Sequence, residues 1–165
     1  MKIKILSIGI LLLLFACKKD KESTPNINNN YFTYQGKQYS TPKAYYGVEK
    51  DGIELTISTF IYNSGEYSGS GNGVDFVKLK SNGSSSLPLG TFQSFINWGD
   101  TSSSFIGEIL IDVDTLYSGN YPELKIKSGS VTISASSQGY SIMYDLVNEE
   151  GKNIKGQYYG AVLKN

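Results

Sequence analysis

After Cys17, apolar residues in this chain recur at every second position, and nowhere at intervals of three, four and seven. Alternation of period two is the pattern of a half-buried strand, because successive side chains of a strand point to opposite faces. Ile53, Leu55 and Ile57 alternate with Glu54, Thr56 and Ser58. Phe105, Gly107, Ile109, Ile111 and Val113 alternate with Glu108, Leu110 and Asp112. Tyr140, Ile142, Tyr144 and Leu146 oppose Ser141, Met143, Asp145 and Val147. Weaker strands are expected over 31–35, 74–80, 89–95 and 124–136, the last broken at Ser128-Gly129, and a final strand over 153–163. Asp51-Gly52 between strands is a hairpin signal, and Gly151 supplies a positive φ in the turn after Glu149-Glu150. Gly156 and Gly160 in the last strand predict a bulge or the close approach of a facing element. Roughly nine strands at hairpin-like spacing predict an all-β, antiparallel fold. A β-sandwich is expected, with a β-barrel of lipocalin type as the alternative, since both alternate in the same way.

The N-terminus carries a different pattern. Lys2 and Lys4 precede an apolar run over 5–16, interrupted only by Ser7 and Gly9. The run is shorter than the roughly 20 apolar residues that span a bilayer. A basic start followed by a short apolar stretch is the secretory pattern. Leu14-Phe15-Ala16-Cys17 resembles a bacterial lipobox, which implies that Cys17 receives diacylglycerol and becomes the mature N-terminus. The bland alternatives are a buried cysteine or an ordinary signal peptide with a chance Cys. Cys17 is the only cysteine, so no internal disulfide can form. Several acyl chains on one residue give stable membrane attachment. The expected organisation is a lipoprotein signal peptide over 1–16, a lipidated Cys and flexible tether over 17–30, and a single β domain over 31–165. The tether is polar, Pro-bearing and Asn-rich, and its 13 residues beyond Cys17 reach roughly 20 Å. Its charged start resembles the surface-export signals of Bacteroidota lipoproteins, although Lys stands where acidic residues are usual. That implies an outer-membrane lipoprotein at the cell surface, with a periplasm-facing protein as the alternative.

Composition excludes several kinds of chemistry. The 15 basic residues are all Lys, matched by 15 Asp and Glu, and there is no His. Without Lys2 and Lys4 the mature chain has a small acidic excess. The missing His removes the usual general base and metal ligand, and with it Ser-His-Asp and Cys-His mechanisms. Lacking Arg and a basic excess, the chain is not expected to bind nucleic acid. No glycine-rich phosphate motif leads into a helix, and no cofactor is expected.

The C-terminal third adds a resemblance. Ser128, Gly129, Val131 and Ile133 are followed by Tyr140, Ile142, Tyr144 and Leu146. Gly151-Lys152 then leads to Ile154, Lys155, Gly156, Tyr158 and Gly160. This succession, with the opening over 31–37, resembles small uncharacterised β-rich lipoproteins of Bacteroidota. The resemblance covers about half of the mature chain and implies a fold and a location but no reaction.

Three candidate sites follow. Trp98, Tyr62, Tyr67, Tyr117 and Tyr121 fall in or beside Gly- and Ser-rich stretches read as loops, over 63–72, 97–103 and 115–122. Aromatic rings with a polar handle suit the C–H faces and hydroxyls of sugars; the alternative is tyrosine as an ordinary strand residue. Asp112 and Asp114 would point the same way on a regular strand and, with Asp100 and Glu123, are weak calcium candidates. Glu54 and Glu108 could in principle pair as glycosidase carboxylates, but nothing in the sequence brings them together, surface acids account for them, and the chain is not expected to be an enzyme. The expected function is a non-catalytic binding module for extracellular polysaccharide. The alternative is a structural or accessory interaction protein of an envelope complex.

Overall fold

A computed structural model of the chain describes residues 30–63, 66–80, 83, 85–95, 105–114 and 124–165. The regular structure among them is entirely β. The first sheet is entered by β1 (Tyr31–Tyr34) and β2 (Lys37–Ser40); β3 (Lys43–Glu49) and β4 (Gly52–Ser58) start the second. A small hairpin of β5 (Ile61–Asn63) and β6 (Glu66–Ser68) precedes β7 (Ser70–Leu79). Then come β8 (Gly90–Phe95), β9 (Ile106–Asp114), β10 (Leu124–Ser136), β11 (Gly139–Asn148), β12 (Asn153–Gly160) and β13 (Leu163–Lys164).

Eleven of these strands form one hydrogen-bonded path, β13-β3-β4-β7-β9-β10-β11-β12-β1-β2, with β8 beside β10. The path does not close on itself, so the fold is sandwich-like rather than a barrel. Its two layers share β10. Leu124 and Lys125 pair with β9, whereas residues 128–133 pair with β8 on one side and with β11 on the other. A register shift between Ile126 and Ser128, with Gly129 at φ 129°, lets the strand leave one layer and enter the other. The expected break at Ser128-Gly129 is therefore a bend within a continuous strand.

Both layers turn their alternating apolar residues inward. Ile53, Leu55, Ile57, Val74, Phe76 and Ile109 come from the second sheet; Phe32, Val131, Ile133, Ile142, Leu146 and Ile154 come from the first. Each such side chain, removed from water, contributes about 1.5–3 kcal/mol. The layers meet at Phe76 on β7, whose ring stands edge-on to Tyr144 of β11 at 5.4 Å and to Phe105 at 5.4 Å.

Three sequence expectations need correction. Residues 63–72 are not one loop: β6 and the start of β7 lie within them. The serines and glycines there are spaced by a backbone ladder that composition alone does not reveal. The last strand ends at Gly160 rather than 163, and the chain crosses to add β13 in parallel beside β3. The strand count is thirteen among the described residues, because β2, β5, β6 and β13 are too short to show alternation.

Two expectations about turns and glycines hold. Gly151 takes φ 76° in the β11–β12 turn. That turn is closed by Asn148, which is buried; its Oδ1 accepts from Lys152 N at 2.8 Å and its Nδ2 donates to the Tyr34 hydroxyl at 3.3 Å. Gly156 lies directly beneath the Tyr144 ring, which is the close approach that a glycine in a strand interior signals.

Candidate functional site: two unlike outer faces

The two sheets share a core but differ on their outer faces, and the difference follows from cross-strand register. Residues paired across adjacent strands lie on the same face.

On the first sheet, one outward row runs Thr91–Thr132–Met143–Gln157–Tyr31–Ser40 across β8, β10, β11, β12, β1 and β2. It carries no formal charge. Thr91 and Thr132 hydroxyls meet at 3.0 Å, and Met143 is 49% exposed in the middle of the row. The next row runs Gln93–Ser130–Asp145–Lys155–Thr33–Gln38. Its two charges cancel in an ion pair of 2.7 Å. On the other side, Tyr159 lies in line with Ser141 and Ser134. Tyr159 is held from beyond the end of β1 by Asn30, whose amide substitutes for a strand: Tyr159 N donates to Asn30 Oδ1 at 2.8 Å and Asn30 Nδ2 donates to Tyr159 O at 3.2 Å. Tyr31 and Tyr159 are thus half-buried neighbours on one open face, surrounded by hydroxyl and amide groups.

On the second sheet the corresponding outward row is Tyr45–Thr56–Asp75–Glu108–Lys125, across β3, β4, β7, β9 and β10. Tyr45, Thr56 and Asp75 are buried, as are Ser58 and Phe60 beside them. Asp75 receives a side-chain hydrogen bond from Thr56, but its Oδ1 has no partner among the described residues and no solvent. Burial, and to a lesser degree the like charges of Glu54 and Glu108, push its carboxyl up to about 7 against the pull of Thr56. Glu54 is itself raised, by burial first and by Glu49 second. Glu54 and Glu108 are the carboxylate pair that the sequence offers. The structure places both beside Asp75, a residue that alternation marks only as one polar position among many.

The other sequence candidates are distributed as follows. Tyr62 and Tyr67 are directly opposite one another in the β5–β6 hairpin. Trp98, Tyr117, Tyr121, Asp100, Glu123 and Cys17 lie outside the described residues, as do the signal segment and the tether up to residue 29. The expected alignment of Asp112 with Asp114 is not found. Asp112 has φ 52° at a bulge where the β7–β9 register shifts between Gly71 and Gly73, and its N–H donates to Asn72 Oδ1 at 2.9 Å. A bulged residue breaks the two-residue alternation on which the alignment depended. Among the described residues, no group of three or more acidic side chains is placed to hold a metal ion.

The sequence pointed to loop aromatics and passed over Tyr31 and Tyr159, which are ordinary strand tyrosines until the pairing of β1 with β12 puts them together. No protein-family model, curated protein or solved structure matches the chain.

Proposed function

We propose that this chain is a lipid-anchored, non-catalytic binding module of the cell envelope whose open face on the first sheet takes an uncharged polysaccharide. The observation that carries the reading is the row from Thr91 to Ser40, which crosses six strands without a formal charge. At about 4.8 Å between strands the row extends about 24 Å, room for several sugar rings. A neutral glycan offers hydroxyls and apolar C–H faces. Thr, Ser and Gln supply donors and acceptors, while Tyr31, Tyr159 and Met143 supply bodies on which rings can rest. The anchoring part of the reading rests on the lipobox-like segment ending at Cys17, and the outward location on the charged residues that follow it.

The test is a thermal-shift and glycan-array panel on the detergent-solubilised full chain. One neutral glycan class is expected to raise Tm, with the effect lost in Tyr31→Ala and in Met143→Lys, which puts a charge in the centre of the row. Equal binding by both variants, or no shift with any neutral glycan, would reject the open face as the site. Labelling with a palmitate analogue tests the anchor separately: Cys17→Ser should abolish incorporation.

A second reading, an accessory subunit of an envelope complex, is favoured by Leu163, which is 57% exposed on edge strand β13. Retention of an envelope protein that Leu163→Asp releases would support it, and in that case sugars should have no effect.

A further inference from the structure

We propose that Asp75 is a proton-operated latch on the second sheet: holding its proton, it lets the outer face of β4, β7 and β9 stay shut, and losing it drives that face to open.

Asp75 is only 8% exposed, and its Oδ1 touches neither solvent nor, among the described residues, a donor. A carboxylate there has exchanged water for a single hydroxyl, that of Thr56, and a buried charge so poorly compensated is unfavourable. The proton removes the charge without moving an atom of the backbone.

The groups that face Asp75 reinforce this. From β4 come Thr56, directly opposite, and Glu54; from β9 comes Glu108, directly opposite on the other side. Beyond Thr56 lies Tyr45 of β3, and beyond Glu108 lies Lys125 of β10, the one cation of the row among the described residues. Lys125 is opposite Glu108 and one strand removed from Asp75. On β7 itself, Lys78 reaches away to Asp51 at 4.0 Å. Among the described residues, the charges that act on Asp75, Glu54 and Glu108, are both negative and oppose its ionisation.

The strand is also built to yield locally. β7 has register shifts on both flanks of Asp75: one against β4, where Lys78 takes φ 61°, and one against β9, between Gly71 and Gly73. Ladder hydrogen bonds are interrupted at bulges, so the stretch around Asp75 is bounded by the weak points of its sheet. The ladder between β11 and β12 in the first sheet runs without a shift from Tyr140 to Val147. Relief of an ionised Asp75 is thus directed to β4, β7 and β9, as a local opening below the global transition.

Hydrogen exchange of the full chain, corrected for intrinsic rates, tests this. If the opened state holds an ordinary carboxyl, protection in β4, β7 and β9 should fall about fifty- to hundredfold between pH 5 and pH 7.5 and level off above. β11 and β12 should keep theirs. In Asp75→Asn the change should shrink to a few-fold at most, the remainder coming from Glu54. In Glu108→Gln the levelling-off should move to lower pH. Equal protection of β4, β7 and β9 at both pH values would overturn the proposal, as would a full-sized change in Asp75→Asn. Should that variant fail to fold, an unmoved midpoint in Glu54→Gln/Glu108→Gln would overturn it equally.

Discussion

Where β12 passes beneath the ring of Tyr144, position 156 has no room for a side chain: a Cβ there would fall inside the van der Waals envelope of the ring and its hydroxyl. The ring cannot swing away, because Phe76 stands against it and the whole residue is buried. Gly156→Ala should therefore cost about 1–3 kcal/mol, the range for overpacking a filled core. Urea denaturation would check this, with a lowered midpoint and an unchanged slope. The Tyr144 phenol is pushed up by burial, partly offset by the nearby Thr41 hydroxyl. Asp75 gives the residue scale its pH dependence. Its folded-state value, about 7, lies above its ordinary 3.8, so the native state binds more protons between those values and stability falls as pH rises through that window. The penalty is absent below about pH 4 and complete above about pH 7. Asp75→Asn should consequently raise global stability at pH 8 by up to about 4 kcal/mol and change little at pH 4. Denaturation curves at the two pH values would decide it: an equal effect at both would show that packing, not charge, governs the site.

At the scale of elements, β10 has the largest structural task. Between Leu124 and Ser136 it joins two layers, and the turn from one to the other falls at residues 126–129. Gly129 has φ 129°, and a Cβ there would press on the backbone of Asp145 and Leu146 in β11. Gly129→Ala should destabilise by about 2–4 kcal/mol, combining backbone strain with a close contact that β11 cannot relieve without leaving its ladder. Calorimetry should record a lower Tm. The Ser-Gly pair was legible in the sequence as an interruption. Its meaning was not, because an interruption reads the same whether the chain stops, bulges or changes sheets. Long alternating strands were legible for a related reason: β4, β9 and β11 bury one face against the core, so their polarity records it directly. β5, β6 and β13 span only two or three residues each, too few for a period to appear.

Over the whole molecule, one interlayer contact organises the packing. Phe76 touches Tyr144 across the layers and Phe105 beside it. Phe76→Ala should cost about 3–5 kcal/mol through lost burial and the cavity left between the sheets. Chemical denaturation would check the size, and a loss under 1 kcal/mol would place the centre of the core elsewhere. The two outer faces, one open and neutral, the other shut over a carboxyl, give the molecule its asymmetry.

The sequence by itself determined that this chain is all-β and where most strands run, because period-two burial is written locally, residue by residue. It also determined which chemistry is absent, since a chain with no His or Arg cannot present either. Which residues become neighbours was decided only by tertiary structure. Tyr31 meets Gln157, and Asp75 meets Glu108, through pairings between strands far apart in the chain, and register over such distances leaves no local trace. Glu54 and Glu108 could be seen to face away from the core, but not that a buried carboxyl would stand between them. Two sheets with the same alternation acquired opposite outer faces because only the folded chain settles which of them remains open to solvent.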